Sequence, residues 1–526
     1  FDRRLTAVTS DPLSGHSTAT MLLGYPSEIR RGSGTVYPRA RVYASQGYFQ
    51  DDWRVSSKLT VNLGVRYEFA NPPYDVDDQL GNLWLRRDPQ SGRFYGTLLW
   101  ASKNPLIDPA TGQPNPPARQ EGFGRSLQVS DYNNWAPRIA IAYQPTSKTV
   151  VRAGFGMFYN STFVQEFQDK RKFWPYLPNQ VFNPNTGTLP DLRITDQGPS
   201  FNSTEAIGGW PQNPENRTPY SQQWNLFVQQ QLMSDLSLEI GYVGSANKKQ
   251  VGYYPINAAL TPGPGNVQPR RLLPDFGSMA GGSNRFSSNY HAMQAKLTKR
   301  FSRGLQFNGN YTWGRCMDEQ SSLAETKTQN PYNLRDDYSR CSYDLRHIFR
   351  LSYVLDLPFG KGRAIGSGWN AATNAVLGGW SLEGITTIQS GAPINVQLGF
   401  DNANVDGRTI QRPDVLRDPN NGPKTPEKWF DTSAFVQPRP FTFGNAGAFI
   451  VADDGRHNWD VAIQKVFPFS EAQSLQVRAE VFNLANHVSM IPANASGMVV
   501  FSSSTFGQVT AATPARQIQF GLRYRF

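Results

Sequence analysis

The two cysteines are the residues of this chain best suited to covalent chemistry, and their placement predicts a disulfide bond. Cys316 and Cys341 are the only cysteines among 526 residues, and both fall in one polar connection between two predicted strands. A cysteine pair that flanks a single loop suggests a disulfide in an oxidising compartment. In the chain-entropy description such a bridge adds roughly 3–4 kcal/mol of stability. A metal site is the weaker interpretation, because no Cys-x-x-Cys and no paired histidine accompanies the two residues.

The remaining chemistry-bearing residues predict no catalytic, metal or cofactor site. The five histidines are far apart and form no H-E-x-x-H: His16, His291, His347, His457 and His487. No G-x-S-x-G elbow, Walker A loop or G-x-G-x-x-G after a strand is present. Asn402-Ala-Asn404-Val-Asp406-Gly407 is similar to the start of a calcium loop, but Pro413 stands where the bidentate Glu is needed, so an ordinary turn is favoured.

Charge and composition exclude several classes of protein. The net charge of +11 comes from scattered Lys and Arg, without a polybasic run or a nucleic-acid module, so no nucleic-acid partner is predicted. No run of eighteen apolar residues exists, so there is no candidate transmembrane helix. Aromatic residues make up 13% of the chain. That content suits the interfacial girdles of a membrane barrel, and an aromatic-rich soluble β protein fits it equally well.

The last twelve residues favour the membrane barrel. In A-R-Q-I-Q-F-G-L-R-Y-R-F, side chains of a strand would alternate between an apolar and a polar face. The apolar face carries Ile518, Phe520, Leu522, Tyr524 and Phe526. An outer-membrane barrel uses such a strand with its apolar face against lipid, whereas a soluble protein rarely ends on an exposed Phe.

Similar amphipathic strands recur in pairs, and the connections between them alternate between short and long. Long polar connections argue against a compact soluble domain, while a barrel with short periplasmic turns and long outer loops requires this alternation. A propeller or sandwich would need short connections at both ends. The sequence therefore predicts an all-β, transmembrane antiparallel barrel. The thirteen predicted strands are 43–53, 58–70, 134–144, 149–159, 219–233, 236–244, 289–301, 305–315, 346–356, 376–390, 457–467, 475–486 and 515–526.

The odd strand number sets an expectation about the rest of the protein. Single-chain bacterial barrels use even numbers of strands, because both termini lie on the periplasmic side. The last strand then runs inward, and so does the first of the thirteen. We therefore expect residues 1–40 to be the end of an extracellular loop, residues 41–526 to be the C-terminal part of a barrel, and further strands to precede them.

Several stretches together resemble the Oar-like branch of the TonB-dependent receptors. The resemblance runs from about residue 40 to the end and rests on sets of residues that are specific only in combination. They are F-Q-D-D-W-R-V (49–55), L-T-V-N-L-G-V-R-Y-E (59–68), N-W-A-P-R-I-A-I-A-Y (134–143), V-R-A-G-F-G-M-F-Y (151–159), D-L-R-H-I-F-R-L-S-Y (344–353), G-G-W-S-L-E-G-I-T-T-I-Q-S-G-A-P-I-N-V (378–396), R-A-E-V-F-N-L-A-N-H (478–487) and F-G-L-R-Y-R-F (520–526).

The resemblance implies a 22-stranded barrel of which this chain supplies about the last 13 strands, with the plug absent. TonB would then be contacted only through a missing N-terminal plug region. Outer-membrane lipid is the expected partner of the apolar face. The C-terminal strand, with Phe520, Leu522, Tyr524 and Phe526, is expected to contact the barrel-assembly machinery. No cofactor is implied, and the class is not an enzyme.

Charged residues on the polar faces of the strands are the candidate lumen residues. Charge on the lipid face would be costly, so we expect this face to point inward. These residues either line a pathway and hold a plug, or form cross-strand ion pairs that solvate the wall. They are Arg66, Glu68, Arg138, Arg152, Glu239, Arg350, Asp356, Arg478, Glu480 and Arg523.

The function that follows is passage of a large or scarce solute across the outer membrane. The outer loops would form the recognition surface, and an oligosaccharide, a peptide or a metal chelate would fit. The alternative is a non-transporting surface barrel used for adhesion. A hydrolase built on the loops would need Ser, His and Asp to converge at one rim, and no motif supports one.

Overall fold

The fold is described from a computed structural model, and the description covers most of the chain. The described residues are 6, 15–26, 29–32, 39–102, 106–107, 114–115, 121–160, 164–173, 179–182, 193–195, 209–323, 327–406, 409–492 and 498–526.

One large antiparallel sheet dominates these residues. A continuous path of thirteen strands runs through it, and each strand overlaps one of the thirteen predicted strands. The strands are β1 Ala44–Ser56, β2 Leu59–Ala70, β3 Trp135–Thr146, β4 Thr149–Tyr159, β5 Tyr220–Met233, β6 Leu236–Pro255, β7 Ala280–Ser302, β8 Leu305–Asp318, β9 His347–Asp356, β10 Trp380–Gln389, β11 Arg456–Pro468, β12 Ser474–Phe482 and β13 Gln517–Arg525.

The strand order is a meander, because every strand of the path pairs with its neighbours in sequence. A short strand, Ser339–Arg340, adds to β8 beside this path. Within the described part of the chain, no pairing joins β1 to β13, and every side chain of β1 is exposed. The sheet therefore has two open edges there.

Period-two alternation gives the sheet one apolar and one polar face. On β2, Leu63 lies opposite Ile139 of β3, which in turn lies opposite Phe155 of β4. The residues between them, such as Gly64 and Arg138, meet on the other side. β-branched and aromatic residues favour extended backbone and pack well against their cross-strand partners.

Short connections gather at one end of the sheet, which we call the hairpin end. Residues 57–58, 147–148, 234–235 and 303–304 each join two strands. In the last of these turns, Arg303 has φ 51° and Gly304 has φ 79°. Two consecutive positive φ values are typical of the type I′ turn, whose twist matches that of paired strands. Longer hairpin-end connections are 357–379 and 469–473.

The opposite end, which we call the loop end, carries long connections with secondary structure of their own. α1 Ser17–Leu22 and α2 Val164–Arg171 lie outside the sheet, and α3 Ala371–Leu377 lies in a hairpin-end connection. None of the helices described here has the length and apolar character needed to cross a membrane.

Short strands outside the path are Ile29–Gly32, Ala40–Arg41, Tyr74–Asp75, Gly81–Arg87, Phe94–Trp100, Leu106–Ile107, Pro114–Asn115, Asn179–Phe182, Pro393–Gln397, Asp414–Val415, Phe435–Val436, Val451–Ala452, Met490–Ile491, Met498–Val500 and Ala511–Ala512. The 3₁₀ turns are Gly124–Ser126, Gln268–Arg270, Leu334–Asp337 and Thr432–Ala434.

The largest departures from the predicted boundaries are at four strand ends, each for a local reason. β6 and β7 extend far into the predicted connection 245–288. The residues around Tyr253 pair with those around Gly282, so the ladder continues past the amphipathic part of both strands. The predicted strand 376–390 begins only at Trp380, because α3 occupies the residues before it. β12 ends at Phe482, where Asn483 turns the chain with φ 53°.

Candidate functional site

The pairing register places all ten candidate lumen residues on one face of the sheet. Arg138 lies opposite Gly64, two residues from Arg66, and Glu239 lies opposite Gln229 on the polar side of β5. The same alternation carries the polar face through β9 to β13. The face shared by these ten residues is the polar face already seen on β2 and β3.

Several of these residues are held in ion pairs along that face. Arg66 Nε lies 2.7 Å from Glu68 Oε1 on the same strand. Arg152 pairs with Glu239, two strands away across β5. Asp356 receives Arg363 from the adjoining turn at 3.3 Å. Because these side chains are partly exposed, each pair is worth at most about 1 kcal/mol.

The densest group of charges lies on β10 to β12 around Arg478. Its guanidinium reaches Glu383 Oε2 and Glu480 Oε1, each at 2.9 Å. Gln464 donates to Glu383, and Asp460 lies at the same open cavity of about 350 Å³. Three carboxylates and one guanidinium line this cavity and leave it net negative, so it suits a cationic or hydroxyl-rich group.

The two cysteines are bonded in the structure. Their Cα atoms lie 5.4 Å apart, and the backbone N–H of Cys316 donates to Asp344 at 2.7 Å. Asp318 lies close to both sulfurs. A metal ion would need thiolates as ligands, and sulfurs joined in a disulfide do not provide them.

Next to the disulfide, charged side chains are fully buried in the loops, and no pattern in the sequence predicts them. Lys327 Nζ lies 2.5 Å from Asp318 Oδ1, and both side chains are 1% exposed. Arg412 lies 2.9 Å from Asp337. Burial raises the pKa of Asp337 to about 6, although Arg412 beside it acts in the opposite direction. No spacing rule links Arg412 to a partner 75 residues earlier.

Apolar clusters accompany these charges and make the loops compact. One cluster packs Phe430, Trp429 and Val451 from the β10–β11 connection against Val499 from the last connection. Another buries Trp100 against Phe173 and Leu273. In the same loops, Trp84 packs edge-on against Phe123 with ring centroids 4.8 Å apart.

A second buried group of charges surrounds α2. Lys170 is fully buried and donates to Ser126 O at 2.8 Å and Gln128 Oε1 at 3.1 Å. Burial lowers the pKa of Lys170 to about 8, although Glu166 acts in the opposite direction. Burial likewise raises the pKa of Glu166 to about 7, although Lys170 opposes the shift. Removal of both groups from water accounts for both directions.

The segment Asn402 to Asp406 is a structural turn. Asn402 uses its side-chain amide N–H groups to bind Arg439 O and Thr442 O, each at 2.9 Å. Asp406 pairs with the buried Arg271 at 2.5 Å. Donor groups and an arginine-bound carboxylate do not form a calcium site.

The C-terminal strand presents the predicted apolar row. β13 pairs with β12, and its outer edge has no partner strand in the described part of the chain. Phe520 is 80% exposed and Phe526 is 90% exposed. Such exposure of large apolar side chains is expected of a surface that meets lipid or another chain.

The chain belongs to the outer membrane beta barrel domain family, whose model matches residues 1–519. The fold and this family define an outer-membrane β-barrel protein, located in the outer membrane, and the family is one of membrane barrels rather than enzymes. No curated protein sequence matches the chain.

Among solved structures, the chain is similar to outer-membrane receptors and transporters at low identity. FpvA of P. aeruginosa bound to heterologous pyoverdines shares 9% identity with a TM-score of 0.44, over 94% of this chain and 39% of FpvA. The outer membrane transporter YddB of Escherichia coli shares 9% with a TM-score of 0.45, over 92% and 54%. The ferric-catecholate import receptor Fiu of E. coli shares 10% with a TM-score of 0.40, over 92% and 45%. The chain therefore spans about two-fifths to one-half of the length of these structures.

Proposed function

We propose that this chain forms part of the wall of a TonB-dependent, Oar-like receptor that passes a large or scarce solute across the outer membrane. The observation that carries the proposal is the two-faced meander. Thirteen consecutive strands keep an apolar exposed face and a charged face in register. Such a wall divides lipid from a polar interior. The sequence sets that resemble Oar-like receptors support the finer assignment.

The proposed architecture is a 22-stranded barrel in which β1–β13 are the last 13 strands. Residues 1–40 belong to an extracellular loop, and residues 41–526 form the C-terminal part of the barrel. The hairpin end faces the periplasm and the loop end faces outward. Unpaired backbone at the edges of β1 and β13 is not tolerated in lipid, so further strands close the sheet. A plug before these strands provides the contact with TonB, and β13 is the strand that the barrel-assembly machinery binds.

The polar face supplies the wall of the pathway. The carboxylates around Arg478 contact either the solute or the plug that fills the lumen. Their partial exposure supports a role in contact with a mobile partner, because buried charges would already be committed to fixed ones.

The loop end supplies the recognition surface. Its clusters and its proposed disulfide, Cys316–Cys341, hold the loops in shape before any solute arrives. A preorganised surface binds more tightly, because less conformational entropy is lost on binding.

Energised uptake tests this proposal. A strain lacking the gene is compared with the same strain carrying the native gene, and depletion of ferric chelates, oligosaccharides and peptides from the medium is followed by mass spectrometry. We expect the native gene to restore depletion of one of these classes, and a protonophore to abolish that restoration. Equal depletion in both strains would refute uptake.

The adhesion alternative is favoured by one observation, namely that the loops are folded bodies rather than open coils. It predicts loss of surface attachment in the deletion strain without any protonophore-sensitive change in the medium. Measuring attachment and depletion on the same pair of strains separates the two functions.

A further inference from the structure

Three of the five histidines lie on the apolar face of the sheet, near its loop end. His291 of β7, His347 of β9 and His457 of β11 are all exposed. His291 lies opposite Arg315, and His347 lies opposite Trp313. His457 lies opposite Ile388 of β10, and Ile388 lies opposite Phe349 of β9. His457 is therefore on the same face as His347. We call these three residues the histidine belt.

The belt lies at a single depth. Ser302 at the end of β7 is eleven positions after His291, Asp356 at the end of β9 is nine after His347, and Pro468 at the end of β11 is eleven after His457. About ten residues of a strand tilted by about 40° rise about 25 Å, which is the height of the apolar band of an outer-membrane barrel. Each histidine therefore lies where the apolar band meets the headgroups on the loop side.

The register supports the same conclusion independently. From His291 to His347 the paired position on β8 moves two residues toward the hairpin end, from Arg315 to Trp313. From His347 to His457 the paired position on β9 moves two residues toward the hairpin end, from His347 to Phe349. One residue per strand is the shift that strand tilt imposes on positions at constant height. A chance scatter of histidines would not follow that shift.

Two of the belt residues are held by the same device. The Tyr242 hydroxyl lies 2.6 Å from His291 Nδ1, and the Tyr311 hydroxyl lies 2.8 Å from His347 Nδ1. In each case the tyrosine stands on the preceding strand and its ring lies nearly parallel to the imidazole. The contact engages Nδ1, so Nε2 is the ring nitrogen that remains to donate to another group.

The third belt residue has a different partner. The ring of His457 lies 5.3 Å from that of His487, whose Nε2 is 3.7 Å from Asp454. Asp454 is the acidic group that faces this pair, and Arg456 precedes His457 on the opposite face of β11.

On the strands around the belt, the apolar face carries basic side chains and no acidic ones. Arg315 lies opposite His291 on this face. By the pairing register, the apolar faces of β5 to β12 contain no Asp or Glu. Histidine is the side chain that gains a positive charge when the medium becomes mildly acidic. An anionic group at headgroup level is therefore attracted without any opposing carboxylate on these strands.

We propose that the histidine belt binds the phosphate groups of outer-leaflet lipid, and that this attraction strengthens as the medium becomes acidic. The protonated imidazole donates from Nε2 to a phosphate oxygen, while Arg315 supplies a charge that does not depend on pH. The inference rests on the proposed orientation, in which the loop end faces outward. It does not require transport.

The test uses the full native protein in detergent and lipid A as the probe, a glycolipid that carries two phosphates. Binding is followed by native mass spectrometry at about pH 5.5 and about pH 8. A cationic side chain at a membrane surface changes affinity about fivefold. We expect the apparent Kd to rise about fivefold between the two pH values, and dephosphorylated lipid A to show no such change.

A triple variant, His291→Gln, His347→Gln and His457→Gln, should no longer bind more tightly at about pH 5.5 than at about pH 8. His16→Gln is the matched control, because His16 caps α1 outside the sheet and should leave the pH effect intact. Heat-modifiable migration in a gel checks that each variant is folded. A pH effect that survives in a folded triple variant, or that persists with dephosphorylated lipid A, would overturn the proposal. Because no energised uptake is involved, either result leaves the transport test separate.

Discussion

Replacing Arg412 by Met should loosen the loop end of the molecule while leaving the strands intact. Arg412 links two connections, the one between β8 and β9 and its own between β10 and β11. Its guanidinium donates to Asp337 Oδ1, Lys327 O and Asp336 O, each at 2.9 Å, and to Ala446 O at 2.8 Å. All of these bonds leave with the guanidinium, whereas the methionine side chain keeps much of the apolar volume.

The magnitude follows from burial. The side chains of Arg412 and Asp337 are 1% and 0% exposed. Removal of one partner of a buried ion pair costs about 3–5 kcal/mol, because the other charge remains uncompensated. Loss of Arg412 also removes the influence that opposes the rise in the Asp337 pKa, so the carboxyl should take up a proton. Protonation would limit the cost to the lower end of that range.

Hydrogen exchange on the purified native protein measures the effect. We expect faster exchange in residues 327–340 and 409–446 of Arg412→Met, with β7 to β11 unchanged. Arg417→Met is the matched control, because Arg417 pairs with Asp431 while 53% exposed, and its loss should cost at most about 1 kcal/mol. Equal protection of these loops in Arg412→Met and in the native protein would show that the buried pair does not hold them together.

Three further outcomes are expected. Glu166, with its pKa raised to about 7, should stabilise the α2 region fully below about pH 4.5 and lose that contribution as the pH rises through 7. Lys170, with its pKa lowered to about 8, should add stability to the α2 region as the pH rises above 8. Resistance of this region to protease should therefore pass through a minimum near pH 7–8, and Glu166→Gln should shift that minimum. Cys316 and Cys341 should be alkylated only after reduction, and an unchanged mass with and without reductant would contradict the disulfide. Deletion of Phe526 should lower the amount of heat-modifiable barrel in outer membranes several-fold, and normal amounts would argue against recognition of β13 during assembly.

The strands could be predicted from the sequence because one rule governs them. A residue such as Leu63 must alternate with Gly64 when one side of a sheet is apolar and the other polar, so period two appears directly in the order of residues. The short turns were equally readable, since Arg303-Gly304 carries the glycine that a tight reversal requires. Face assignment followed from the same period, which is why all ten candidate residues share a face.

The loops could not be predicted, because their stability depends on contacts between distant segments. Arg412 and Asp337 meet across 75 residues, and neither lies in a periodic pattern. Polar composition indicated open connections, whereas Phe430 and Val451 in fact form a core with Val499. The extension of β6 and β7 was missed for a related reason. Gly252 pairs with Ser283 and Gly282 pairs with Tyr253, and this glycine-containing segment has no amphipathic pattern.

The same residue types therefore have opposite roles in the two parts of the molecule. An arginine–carboxylate pair on the polar face, such as Arg478 with Glu383, is 35% and 26% exposed and exchanges readily with water or a passing group. The pair formed by Arg412 and Asp337 is buried away from water, and its role is to hold the loops together. Charge removal at Arg478 should consequently alter what contacts the wall while stability is kept. Removal at Arg412 should alter stability first, and any loss of function should follow from the disordered loops.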